Sequence, residues 1–149
     1  MSKLMIQTTS PEETMALAEN IGARLCAGDI IAYFGGLGVG KTTFTRGLAK
    51  GMGLPDVVSS PTFSIVQEYH GKELSLYHFD MYRILRADDL ESTGFYDYPL
   101  DTGVFAVEWA EHIIAELPEN VIRITFRQTA EQVREITVEG DERFADIGN

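Results

Sequence analysis

The chain is poor in cysteine, in basic charge and in long apolar stretches. Cys26 is the single cysteine among 149 residues, which excludes an internal disulfide framework and suits a reducing compartment. No uninterrupted apolar run approaches the roughly 20 residues of a spanning helix, and Met1 to Glu13 has no apolar core of signal-peptide length. The expectation is a soluble, cytoplasmic protein with no membrane attachment. Lys and Arg number 12 against 23 Asp and Glu, for a net charge of −11. That balance argues against an unassisted grip on a nucleic-acid backbone, which needs clustered cations. Repeats, linkers and low-complexity tracts are also missing. With 44% hydrophobic and 23% charged residues, the composition is that of one ordinary globular domain over residues 1–149.

What is present reads as alternating strands and helices. Residues 4–8 suit a short strand. Ser10-Pro11-Glu12-Glu13 is a helix start, with Ser at the N-cap and Pro in the first helical position. Apolar residues then recur at helical spacing to Leu25, with Gly28 as the expected terminator. Asp29 to Phe34 suits a central strand covered on both faces, and Lys41 to Met52 a second helix. Strands are expected at 65–69, 74–79, 104–107, 121–126 and 133–138, with helices at 87–92 and 110–117. The acidic residues 141–149 read as a frayed tail. The fold class is α/β: a P-loop-like mixed sheet flanked by helices, in a single domain.

The strongest motif is Gly35-Gly36-Leu37-Gly38-Val39-Gly40-Lys41-Thr42, followed by Thr43. Two glycines bracket four residues before Lys and Thr, as in a phosphate-binding loop. Such a loop turns consecutive backbone N–H groups inward, which favours glycine. The following helix adds unsatisfied N–H groups and its positive end. Lys41 supplies a cation for the terminal phosphates, and the Thr42 hydroxyl suits Mg²⁺. From Ile30 to Pro55 there is no Asp or Glu, whereas Lys41, Arg46 and Lys50 are present. An acidic chain thus keeps carboxylates away from the segment that would receive a polyanion.

Two acids follow strand-like segments. Asp80, after Leu74 to Phe79, is the metal candidate, although an Asp opening a turn would look the same. Glu108, after Val104 to Val107, suits polarisation of an attacking water; a dipole-favouring acid before a helix is the alternative. Thr62, in Ser59-Ser60-Pro61-Thr62-Phe63, suits a nucleotide-responsive loop, or simply a turn. His70, His78 and His112 lack metal-ligand spacing and read as structural. Trp109 is a core or rim anchor, with a nucleotide stack as the alternative. The guanine-reading Asn-Lys-x-Asp pattern, an Asp-x-x-Gly switch and the Leu-Ser-Gly-Gly-Gln segment are all missing, which favours ATP over GTP. An ATPase, a small-molecule kinase and a nucleotide-dependent binding module all remain compatible with these motifs.

Four segments together resemble one family. They are Gly35 to Thr43, Ser60-Pro61-Thr62-Phe63, His78-Phe79-Asp80-Met81-Tyr82-Arg83 and Val107-Glu108-Trp109-Ala110-Glu111. This set is similar to the bacterial tRNA threonylcarbamoyladenosine biosynthesis ATPase family, TsaE or YjeE. The resemblance implies an ATPase using ATP/ADP and Mg²⁺, slow alone and active with TsaB and TsaD, with tRNA contacted mainly through those partners. It implies that Lys41 and Thr42 serve the phosphates and metal, Asp80 serves Mg²⁺ and Glu108 supports hydrolysis. Thr62 would respond to nucleotide and Trp109 would lie close to the site. Tyr82, Arg83 and the loop around Thr62 would flank the nucleotide and form the expected coupling surface; a simple pairing of Arg83 with a neighbouring acid is the alternative.

Overall fold

The computed structural model describes residues 2–35, 40–55, 66–81 and 95–147. Gly36 to Val39, Thr62, Tyr82, Arg83 and the expected helix at 87–92 lie outside the described residues. Among the described residues, seven strands and two α-helices follow in the order β1 (Ser2–Thr8), α1 (Pro11–Gly22), β2 (Ile30–Phe34), α2 (Lys41–Gly51), β3 (Val66–Tyr69), β4 (Ser75–Asp80), β5 (Gly103–Glu108), β6 (Ile122–Gln128) and β7 (Arg134–Gly140). They build one sheet in the order β1-β7-β6-β2-β5-β4-β3. The centre is parallel: β2 lies between β6 and β5, and β5 pairs with β4. The flanking pairs β1·β7, β6·β7 and β3·β4 are antiparallel.

Strand periodicity divides the apolar residues between two faces. Ile31, Tyr33, Leu76, Ala106, Ile122 and Ile124 pack under α1 and α2 with Leu17, Ile21, Phe44 and Leu48. Ile30, Ala32, Tyr77, Phe79, Phe105 and Val107 point the other way, onto Phe95, Ala110, Ile113 and Leu117. The central strands are therefore covered twice, which explains their nearly continuous apolar sequence.

Helix α1 begins as its sequence dictates. Glu13 N donates to Ser10 Oγ at 3.1 Å, and Pro11 opens the helix. The Glu13 carboxylate reaches back to Thr9 N at 2.7 Å, one residue earlier than a capping box requires. The helix ends at Gly22 rather than near Gly28. Gly28 instead occupies a left-handed turn (φ +94) into β2, where its N–H donates to Gly103 O at 2.9 Å. Helices α1 and α2 meet almost backbone to backbone. A Cβ at Gly22 would stand 2.3 Å from Leu48 O, and one at Gly51 would stand 2.1 Å from Glu19 O.

Two expectations change. Residues 110–117 form two short 3-10 turns, Ala110–His112 and Ile114–Glu116, instead of one α-helix. The segment is too short to hold a helix unaided, and Pro118 disfavours helical backbone before it. Burial of Ala110, Ile113 and Leu117 sets its path. The expected frayed tail is docked through residue 147. Phe144 and Ile147 enter the core beside α1, and Arg143 grips Asp29 through two nitrogens, at 2.9 and 2.8 Å. Acidity at the tail's surface hid two buried apolar anchors.

Candidate functional site

Strands β2, β4 and β5 run in parallel, so their carboxyl ends open on one edge of the sheet, where α/β proteins place ligand groups. Chain β2 passes there into Gly35, whose φ of +128 belongs to the region that favours glycine. A Cβ on Gly35 would come within 2.6 Å of Phe126 O. Thus the first glycine of the loop is required by both backbone angle and space.

Gly40 closes the loop at φ +94 and is the N-cap of α2, without any side-chain capping bond. The first turn of α2 contains no acid, whereas α1 begins with a Ser cap and two glutamates. One helix neutralises its positive end with its own residues; the other leaves it available to an anion.

Lys41 is unusual for a lysine in being only 5% exposed. Its Nζ donates to Gly35 O at 2.9 Å and stands 5.2 Å from the centroid of the Trp109 ring. Thr42 is exposed at the start of α2, and Thr43 is half-buried. One turn on, Thr45 Oγ1 donates to Lys41 O at 2.9 Å. That bond uses the only hydroxyl hydrogen of Thr45, so the Tyr33 hydroxyl donates to Thr45 Oγ1, again at 2.9 Å. Tyr33 is fully buried, and burial drives its phenol well above the ordinary range. It remains a neutral donor.

The two acids are register partners: Asp80 lies beside Glu108 at the ends of β4 and β5. By strand parity Asp80 shares a face with His78 and Leu76, and Glu108 with Ala106; this is the α2 face. Asp80 is exposed and Glu108 half-buried. Burial pushes the Glu108 carboxyl up, but His78 and the charge of Lys41 outweigh it, leaving the group below its usual value and ionised at neutral pH. His78 Nε2 is 2.6 Å from Glu108 Oε2. The approach falls outside hydrogen-bond alignment, so the two groups stand in close polar contact. Trp109, next in the chain, has left-handed backbone (φ 60, ψ 37), a costly state for a bulky side chain. Among the described residues it is the one non-glycine with positive φ.

The structure thus brings Gly35, Gly40, Lys41, Glu108 and Trp109 together, with Asp80 alongside Glu108 and Thr42 beginning α2. It also adds features that the sequence reading missed. A cleft of about 210 Å³ borders Gly40 and Thr43 and is walled by Ser10, Pro11, Thr14 and Arg134. A larger one, about 630 Å³, runs beside Thr42, Arg46, Lys50, Leu54 and Tyr69. Their walls come from segments far apart in the chain, so no local motif announces either one. His78 carried a local signal, being two residues before Asp80 on a strand. Among the described residues, no group of three or more His, Cys, Asp or Glu is arranged to hold a metal.

A buried ammonium and an uncapped helix start at a parallel sheet edge suit a polyanion, and the ionised Glu108 carboxylate stands beside them. Taken with the fold, they define a single-domain mixed α/β protein. The family model described as "Threonylcarbamoyl adenosine biosynthesis protein TsaE" matches residues 8–136. The chain is 41% identical over 149 residues to the tRNA threonylcarbamoyladenosine biosynthesis protein TsaE of Bacillus subtilis (strain 168), covering 100% of this chain and 89% of that protein. To the protein of the same name from Treponema pallidum (strain Nichols) it is 39% identical over 129 residues, 87% of this chain and 95% of the relative. A solved structure, "Crystal structure of Bacillus subtilus YdiB", superposes with a TM-score of 0.74 at 35% identity, covering 98% of this chain and 91% of that one. The chain belongs to the TsaE family of threonylcarbamoyladenosine biosynthesis proteins.

Proposed function

We propose that this protein is a Mg²⁺-dependent ATPase that supports threonylcarbamoyladenosine modification of tRNA as a partner-activated subunit alongside TsaB and TsaD. The observation that carries the reading is the convergence of the Lys41 ammonium with the ionised Glu108 carboxylate at the open edge of β2 and β5. A cation buried to this degree calls for an anionic partner, and a backbone carbonyl answers that need only in part.

The residues fit a magnesium-bound triphosphate. Lys41 would exchange Gly35 O for phosphate oxygen, and the uncapped N–H groups of α2 would receive further oxygens. The Thr42 hydroxyl and the Asp80 carboxylate would hold Mg²⁺, whose remaining ligands would be phosphate oxygens and water. Bound Mg²⁺ supplies charge neutralisation to the phosphates. Glu108, kept ionised, accepts a hydrogen bond from water and orients it for attack on the terminal phosphorus. The cleft between Ser10, Gly40, Thr43 and Arg134 adjoins the start of α2, where it would receive part of the nucleotide. The loop at Thr62, with Tyr82 and Arg83, would couple the nucleotide to partners. A net charge of −11 leaves contact with tRNA to those partners.

The test is phosphate release from Mg·ATP by wild type and Glu108→Gln, with and without purified TsaB, TsaD and tRNA. Strong stimulation of wild type alone supports the reading. Equal rates in both proteins would reduce it to a nucleotide-binding module. A phosphorylated organic product would make it a kinase.

A further inference from the structure

His78 has no part in the function proposed above, yet it touches the residue on which hydrolysis depends. It is 6% exposed, and its Nε2 has the Glu108 carboxylate at 2.6 Å and no aligned hydrogen-bond acceptor. An imidazole nitrogen buried without a partner is unfavourable, so the ring has reason to seek that oxygen. The ring is also held from below. It meets Tyr33 edge-on at 6.3 Å and 77°, and Tyr33 is tied through Thr45 to the backbone of Lys41. One chain of contacts therefore runs from the amino end of α2, under the sheet edge, to the Glu108 carboxylate.

We infer that His78 is the positioning residue for Glu108. Its Nε2–H holds Oε2 and fixes the carboxylate rotamer, leaving the other oxygen for the attacking water. Contacts of this kind are often misaligned without ligand and tighten when the site is filled. A small rotation of Glu108 would complete this one. The inference rests on the hydrolytic role proposed for Glu108. A histidine that merely filled space under the sheet would need bulk at this position, not a donor.

The experiment compares His78→Ala, His78→Gln and Glu108→Gln with wild type by two measurements. One is Mg·ATP hydrolysis with partners, resolved into kcat and KM. The other is infrared spectroscopy of the nucleotide-free proteins, in which the Glu108 carboxylate stretch is the band that Glu108→Gln removes. His78→Ala should lower kcat by about 10–100-fold, the usual effect of losing such a supporting contact, with KM changed less than about twofold. Its Glu108 band should shift. His78→Gln keeps an N–H donor and should recover most of the rate and the original band. An unchanged rate and band in His78→Ala would overturn the inference, as would equal losses in the Ala and Gln variants. If wild-type hydrolysis is insensitive to Glu108→Gln, the hydrolytic reading fails and the inference fails with it. If that sensitivity holds while His78→Ala is silent, only the inference falls.

Discussion

Lys41 Nζ lies 5.2 Å from the ring centroid of Trp109, so the chain's one tryptophan stacks on the ammonium of its glycine-rich loop. The contact joins the end of β5 to the start of α2. It also makes Trp109 an internal reporter of the lysine. Addition of Mg·ATP should change the intrinsic fluorescence as Lys41 moves from the ring and from Gly35 O toward phosphate. Lys41→Met should abolish the change. An emission spectrum insensitive to saturating nucleotide would contradict this.

The same lysine sets affinity. A hydrogen bond to a charged group contributes about 1.5–3 kcal/mol, so Lys41→Met should weaken Mg·ATP binding by about 10–100-fold. Titration calorimetry reads this directly. The fold should survive, because methionine keeps the buried stem and leaves no charge behind.

Acid titration should reveal Glu108. Its folded-state carboxyl lies below the ordinary value of 4.5, so its ion pairing stabilises the fold above that pH and is lost as pH falls through the lower, folded value. Stability of wild type should therefore decline more steeply below about pH 4.5 than that of Glu108→Gln. Urea unfolding across pH 3 to 6 (about the span that brackets this carboxyl) checks the difference. Parallel curves would mean that Glu108 makes no net ionic contribution.

Much of this architecture could be read in the sequence, and for stated reasons. The central strands declared themselves through continuous apolar runs and α1 through its Ser-Pro start. Asp80 and Glu108 were legible because both follow such runs. Their adjacency was not, since it comes from the pairing of two strands that are distant in the chain. His78 read as structural because a histidine inside an apolar strand is usually that. Its relation to Glu108 exists only after the sheet has formed. The docked tail escaped for a similar reason: Phe144 and Ile147 are two apolar residues without a period to expose them.

The docked tail carries a prediction of its own. Phe144 is 1% exposed, and Phe144→Ala should destabilise the protein by about 3–5 kcal/mol. Arg143→Ala leaves Asp29 without its two-pronged partner and should lower the melting temperature as well. Denaturation of both variants tests whether the tail belongs to the cooperative unit.

Close helix packing is open to the same kind of measurement. A methyl at Gly22 or Gly51 would collide with main-chain oxygen that has no rotamer to yield, so either Ala variant should cost about 1–3 kcal/mol. Chemical denaturation gives the number, and a neutral result would mean that the two helices can part without penalty.

Gly51 sits at the opposite tip of α2 from Lys41, about 15 Å away along the axis. The helix that starts with Lys41 therefore ends on a bare backbone crossing, where a methyl would have to lever the whole element away from its neighbour.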